Sequence, residues 1–261
     1  MNRLVKIAVG GALALAASSS FAAVSLPSTG DGSLTLTLFS NDDGTPFSYG
    51  FDTGVTLSTL GNLPTAPGAT QSWSLSGLSA DLSGFTGTSS LVFDVSAAGQ
   101  AAGAPAKTAG LYHFATTFDP SVSLATITAF TNVNVETAVG NNGIWLSNFG
   151  TGQTSFSTGL ADANYANAKY PSNYNAFGDN AAASVGTSLP FYLLTQGKGA
   201  TGAATLAPST YAGTWSVDLA DDTLTYSVPP LPTPLPAGLW LLLSGLTGMG
   251  LLGRRRREGV V

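Results

Sequence analysis

The sequence predicts an all-β body, an antiparallel β-sandwich or jelly roll, carried between an N-terminal signal peptide and a C-terminal transmembrane helix. Three observations predict it. Ser33-Leu34-Thr35-Leu36-Thr37-Leu38-Phe39 alternates polar and apolar residues, the period of a strand with one buried face. Thr214 to Leu219 and Thr223 to Val228 flank Ala220-Asp221-Asp222, the pattern of a hairpin with a short turn. Between these, short apolar runs are separated by Gly, Asn, Asp and Pro clusters, as in sandwiches and jelly rolls. No stretch of the body carries a sustained stripe at helical spacing.

The chain opens with a basic pair, Arg3 and Lys6, then a short apolar run from Ile7 to Ala17. Ser20-Phe21-Ala22 places small residues at −3 and −1. This order predicts a secretory signal peptide over residues 1–22, cleaved between Ala22 and Ala23. The alternative is an uncleaved N-terminal anchor.

The body, residues 23–228, follows. After the strand at Ser33 comes a segment marked by Trp73, Leu75, Leu78 and Leu82, interrupted at Gly77. Strands are expected at Leu91–Val95, Leu111–Phe114, Val122–Thr128, Gly143–Leu146 and Phe191–Leu194. One or two helical turns are expected within residues 161–168. In the final hairpin, Trp215, Val217 and Leu219 share a face and meet Leu224, Tyr226 and Val228 across the strands. Val228 then runs straight into prolines, so this last strand is expected to hand the tail off at the domain's edge.

Charge narrows the function. Arg3, Lys6 and Arg254–Arg257 lie outside the body, which keeps Lys107, Lys169 and Lys198 against thirteen carboxylates, a net charge near −10. Such a body has no electrostatic attraction for nucleic acid or anionic lipid. With no cysteine in the chain, a disulfide framework is excluded and the core must supply the stability.

No catalytic constellation and no cofactor are expected. His113 is the only histidine, and on a strand it shares a face with Leu111, opposite Tyr112 and Phe114. There is no G-x-S-x-G elbow, and no zinc site is expected without cysteine or a second histidine. Glu136 is the only glutamate of the body, and pairs such as Asp42-Asp43 and Asp221-Asp222 sit in turn contexts. Asp42 and Asp43 lack the spaced ligand loop of a calcium site. The stretch from Asn164 to Phe177 interleaves amides with Tyr165, Tyr170, Tyr174 and Phe177. Aromatic rings stack on sugar C–H faces and amides bond hydroxyls, so Tyr165, Tyr170 and Tyr174 are candidate carbohydrate contacts. The alternative is a long loop whose aromatics fold back on the sheet.

The tail, residues 229–261, has three parts. Prolines at 229, 230, 232, 234 and 236 fix φ and lack N–H, so the spacer is extended and close to polyproline II. Leu235 to Leu252 carries no charge, about 27 Å of helix at about 1.5 Å per residue, just enough to span a bilayer core. Trp240 stands near its outer end, where an indole suits the interface. Arg254, Arg255, Arg256 and Arg257 then form a stop held in the cytoplasm, which places the body outside. Five glycines between Gly238 and Gly253 weaken the helix, as in C-terminal signals that are removed; a plain single-pass anchor is the alternative.

This tail resembles the PEP-CTERM class of bacterial sorting signals, specifically its VPLPA-type variant. Thr233-Pro234-Leu235-Pro236-Ala237 matches the short motif, with Thr233 where the variant usually has Val, and Val228-Pro229 offers a second register. Leu239 to Leu246, Gly248 to Leu252 and the arginines complete the pattern over about the last thirty residues. The resemblance implies recognition by an exosortase-type membrane transpeptidase of a Gram-negative bacterium, after a transient stay in the inner membrane. It also implies association with exopolysaccharide or biofilm matrix, and any catalytic cysteine belongs to the transpeptidase. The expected function is structural or adhesive and non-enzymatic, the alternative being a secreted hydrolase acting on matrix polysaccharide.

Overall fold

In a computed structural model, the described residues are 24–40, 46–75, 77–83, 85, 91–102, 109–149, 152–158, 177, 180–197 and 208–232. The chain divides into two compact units, Met1–Pro229 and Pro230–Val261, and the described residues lie almost wholly in the first. That unit is mostly β-strand, with few helices.

The strands are β1 (Ser33–Ser40), β2 (Ser48–Thr56), β3 (Thr70–Ser74), β4 (Leu91–Gln100), β5 (Tyr112–Thr117), β6 (Thr154–Ser157), β7 (Ala183–Ser184), β8 (Leu189–Thr195), β9 (Ser209–Asp218) and β10 (Thr223–Ser227). They form one antiparallel sheet in the order β3-β10-β9-β8-β5-β4-β1-β2-β6, with β7 added beside β4. The sheet curls on itself. Leu34, Leu36 and Leu38 of β1 share one buried core with Tyr49 and Phe51 of β2, Phe191 of β8, Trp215 of β9 and Leu224 of β10. The Trp73 indole N–H on β3, at one end of the order, donates to the Thr53 carbonyl of β2 at 3.0 Å.

The expected alternation of β1 is present, but both of its faces are buried. Thr35 and Thr37 are as inaccessible as the leucines. The layer that buries this second face is a helix, α3, spanning Asn132–Ser147. Asn142 of α3 donates to the Ser96 hydroxyl of β4 at 3.4 Å, while Trp145, Leu146 and Phe149 pack with Phe39 of β1. Gly50 of β2 gives α3 its seat: a Cβ there would lie 2.4 Å from a Phe149 ring carbon and 2.9 Å from one of Trp145.

α3 replaces the strand expected at Gly143–Leu146. Its buried positions, Val135, Ala138, Val139, Asn142, Trp145 and Leu146, keep helical spacing. The stripe is hidden in the sequence because a small residue and a polar one fill two of those places. Val133 and Ile144, meanwhile, face solvent. Thr131 and Asn134 form the capping box, and Asn132 pairs both ways with the Gly197 backbone just past β8. The strand expected at Val122–Thr128 is likewise a short helix, α2 (Leu124–Thr128). The Ser123 hydroxyl caps it, accepting from the Thr126 N–H at 3.1 Å. Leu78–Leu82 is a single helical turn, α1, entered through Gly77 at φ 89, so only the first part of the Trp73–Leu82 segment is strand. The turns expected in residues 161–168 lie outside the described residues.

The final hairpin has the expected pairing, with Leu224 opposite Val217 and Tyr226 opposite Trp215. The first unit ends at Pro229, just past this hairpin, yet within the sheet β10 is not an edge strand. β3 pairs with β10 on the side away from β9, so the chain leaves the body through a strand held on both sides. Tyr226 reaches back over Gly213, whose N–H donates to the phenol oxygen at 2.8 Å.

Candidate functional site

The residues singled out in the tail, Thr233, Pro234, Leu235, Pro236, Ala237 and Arg254, Arg255, Arg256, Arg257, lie outside the described residues, as do Ala22, Ala23, Tyr165, Tyr170 and Tyr174. The flanks of these segments are described. Phe177, the last aromatic of the candidate carbohydrate loop, is buried and stacks 5.5 Å from Phe114 and edge-on 5.9 Å from Phe118. It belongs to the core beneath α2 and α3, and is not a ligand contact.

The point where the tail departs is sharply defined. Val228 is buried. Its N–H donates to the Ala69 carbonyl at 2.9 Å, and its own carbonyl accepts from Gly68 at 3.0 Å. Pro229 follows at once, without an N–H to continue the ladder. Pro229 to Pro232 are exposed, Leu231 to 71 %. Leu231 is thus a large apolar residue exposed between prolines.

Around this exit the sheet presents hydroxyls. Thr70, Ser72 and Ser74 of β3 oppose Ser227, Thr225 and Thr223 of β10, which in turn oppose Thr214, Ser216 and Asp218 of β9. Ser72 and Thr225 share a 2.9 Å hydrogen bond. Near this face, where β9 outruns the start of β8, a surface depression of about 530 Å³ is lined by Val185, Ser188, Ser216 and Asp218 among others. No lysine or arginine occurs among the described residues, so this surface offers uncharged hydroxyls and carboxylates.

His113 lies on β5 opposite Gly99 and Thr195, with its ring Nδ1 3.1 Å from the Thr195 hydroxyl. The carboxylates are dispersed. Asp31 is partly desolvated, which raises its pKa, but the Ser58 N–H, the Ser58 hydroxyl and the Thr56 hydroxyl outweigh this and hold it below the usual carboxylate range. Asp52 is buried, and burial pushes its carboxyl up despite bonds from the Gly54 N–H and the Ser33 hydroxyl. No group of three or more His, Cys, Asp or Glu side chains suited to a metal occurs among the described residues. Asp42 and Asp43 lie outside them.

One juxtaposition was not legible in the sequence. Asp222, in the β9–β10 turn at φ 48, accepts a hydrogen bond from the Ser79 hydroxyl of α1, and its carbonyl accepts from the Leu75 N–H at 2.8 Å. Tyr49 of β2 is fully buried, and burial together with the charges of Asp81 and Asp222 pushes its phenol well above the usual range. These residues come from three distant stretches, so no local pattern announces them. No helix among the described residues is long and apolar enough to cross a membrane. Compared with known proteins, the chain matches no family model, no curated protein and no solved structure.

Proposed function

We propose that this chain is an exported, non-enzymatic envelope or matrix protein. Its C-terminal tail is a PEP-CTERM-like sorting signal of the VPLPA type, read by an exosortase-type transpeptidase. On this reading residues 1–22 are a cleaved signal peptide, and the span beginning at Leu235 is a transmembrane helix that holds the chain in the inner membrane until it is processed. The mature body then serves a structural or adhesive role in exopolysaccharide or biofilm at the cell surface. The observation that carries the reading is the order of parts in the last residues: proline spacer, marginal apolar run, four arginines. The exposed Pro229–Pro232 segment directly after the last ladder bond supports it, because a membrane enzyme needs slack, extended chain. The solvent-facing hydroxyls of β3, β10 and β9 are compatible with an uncharged polysaccharide, and Tyr165, Tyr170 and Tyr174 are the proposed stacking contacts. The body is proposed to be sandwich-like, its two halves joined through β8, β5 and β4 and facing each other across the shared core.

The arginines supply the test. Each would cost about 2.5–3.5 kcal/mol at mid-bilayer, so changing Arg254–Arg257 together to serine removes the stop. Cell fractionation of the producing strain is expected to show the variant absent from the cell exterior or present there unprocessed. Normal delivery in the normal processed form would refute the sorting role.

A further inference from the structure

We propose that the fold of the body, and not the tail sequence alone, sets the upstream limit of processing: the Val228-Pro229 bond is latched shut, and only bonds beyond Pro229 are open to the transpeptidase. That limit matters only on the sorting reading above, where Val228-Pro229 and Thr233–Ala237 are both candidate registers; the latch itself is a property of the fold.

Val228 is held by side chain and backbone alike. It is 6 % exposed and belongs to the inner core with Leu224 and Tyr226. Its N–H donates to the Ala69 carbonyl at 2.9 Å, and its carbonyl accepts from the Gly68 N–H at 3.0 Å. The turn that supplies these partners is itself closed, the Ala69 N–H donating to the Ala66 carbonyl at 3.0 Å, with Gly68 at φ 78 inside it. One residue upstream, Ser227 is opposite Thr70 of β3 and Thr214 of β9, so the end of β10 is paired on both sides. One residue downstream the chain is exposed, from Pro229 through Pro232.

Cleavage at Val228-Pro229 would require these contacts to be given up. The enzyme's nucleophile must bond to the Val228 carbonyl carbon, which moves negative charge onto the oxygen. The C–N bond then breaks and the Pro229 nitrogen leaves with the proton that the nucleophile gave up, the acyl group passing to an amine or to water. Stabilising that charge takes donors on the enzyme, yet the oxygen is occupied by the Gly68 N–H. An enzyme that binds extended chain also needs a free backbone edge, and β10 has none. The bond becomes reactive only after local unfolding at the end of β10, whereas the exposed chain after Pro229 needs none. Folding of the body thus fixes the shortest chain the mature protein can keep.

Brief proteinase K digestion of the purified full chain, read by intact mass, tests the latch without the transpeptidase. The fragment carrying β10 is expected to end at Pro229 or beyond. Gly68→Val puts a branched side chain at positive φ with nothing within 4 Å of its Cβ, so it strains the latch and spares the core. Cleavage at or just before Val228 should become about tenfold faster in it, because digestion tracks the population of the opened form. Gly186→Val, strained in the same way at φ 89 in another turn, should leave that rate unchanged. In cells, the processed protein should also end beyond Pro229. With Pro234→Ala and Pro236→Ala together, no product ending at Val228 should appear. A digestion fragment or a cell product of the unmodified chain ending at or before Val228 would overturn the proposal. So would equal digestion rates in Gly68→Val and the unmodified chain. A tail never removed in cells would refute the sorting reading instead, while the digestion still decides the latch.

Discussion

Trp215→Ala is expected to cost about 3–5 kcal/mol of stability, the range for removing a large buried aromatic. The indole is fully buried at the centre of the inner core. Its ring centroid lies 5.0 Å from that of Tyr226, 5.3 Å from Trp73 and 5.8 Å from Phe191. It therefore joins β9 to β10, β3 and β8 at once, and the cavity left by alanine opens onto all of them. Small domains have only about 5–15 kcal/mol to lose, so this one change should bring the body close to its unfolding threshold. Trp215→Phe should be far milder. The indole N–H is buried without a partner, and phenylalanine removes that desolvated donor while keeping most of the apolar volume. Equilibrium urea unfolding of the two variants is the check. If alanine cost no more than phenylalanine, the inner core would not be organised around this residue.

Gly50→Val should unseat α3. The seat is a contact between strand backbone and two side chains, Trp145 in the last turn of α3 and Phe149 just past it, with the added Cβ placed 2.4 Å from Phe149 and 2.9 Å from Trp145. Both neighbours are ring atoms anchored in the core beneath α3, so neither can swing aside cheaply. Overpacking of this kind costs about 1–3 kcal/mol or more, against a small gain from valine's preference for strands. Loss of the seat would also expose Thr35, Thr37 and Ser96, which α3 now helps to cover. Gly61→Ala is the matched control, since nothing lies within 4 Å of its added Cβ, and it should be neutral or slightly stabilising. Hydrogen exchange should report faster exchange along residues 132–147 in Gly50→Val alone. Unchanged protection there would mean that α3 is held by something other than this seat.

These two sites also mark what the sequence could and could not reveal. β1 and the β9–β10 hairpin were legible because their signals are local: strict alternation in one, two short runs around a turn in the other. The Trp215–Tyr226 pairing followed directly from the hairpin register. α3 was not legible. Its buried stripe runs through Ala138 and Asn142, while Val133 and Ile144 point outward, so the helical period is blurred. The hidden helix in turn concealed the fate of the Ser/Thr face of β1, which looks solvent-facing only if nothing covers it. The position of β3 outside β10 depends on pairing between Thr70–Ser74 and Thr223–Ser227, a partnership no local pattern encodes. The Tyr49–Ser79–Asp81–Asp222 grouping was hidden for the same reason. The proposed sorting signal is of another kind. A linear address is recognised as chain, and all of its physical content, missing N–H groups, apolar length and clustered charge, is written in consecutive residues.

The most direct test of that address is the intact mass of the protein recovered from cells with and without the transpeptidase. With it, the mass should correspond to a chain beginning at Ala23 and lacking the apolar run and the arginines beyond the Thr233–Ala237 motif. Without it, the tail should remain. A tail still attached in cells that contain the enzyme would contradict the account and reduce the last residues to a simple membrane anchor.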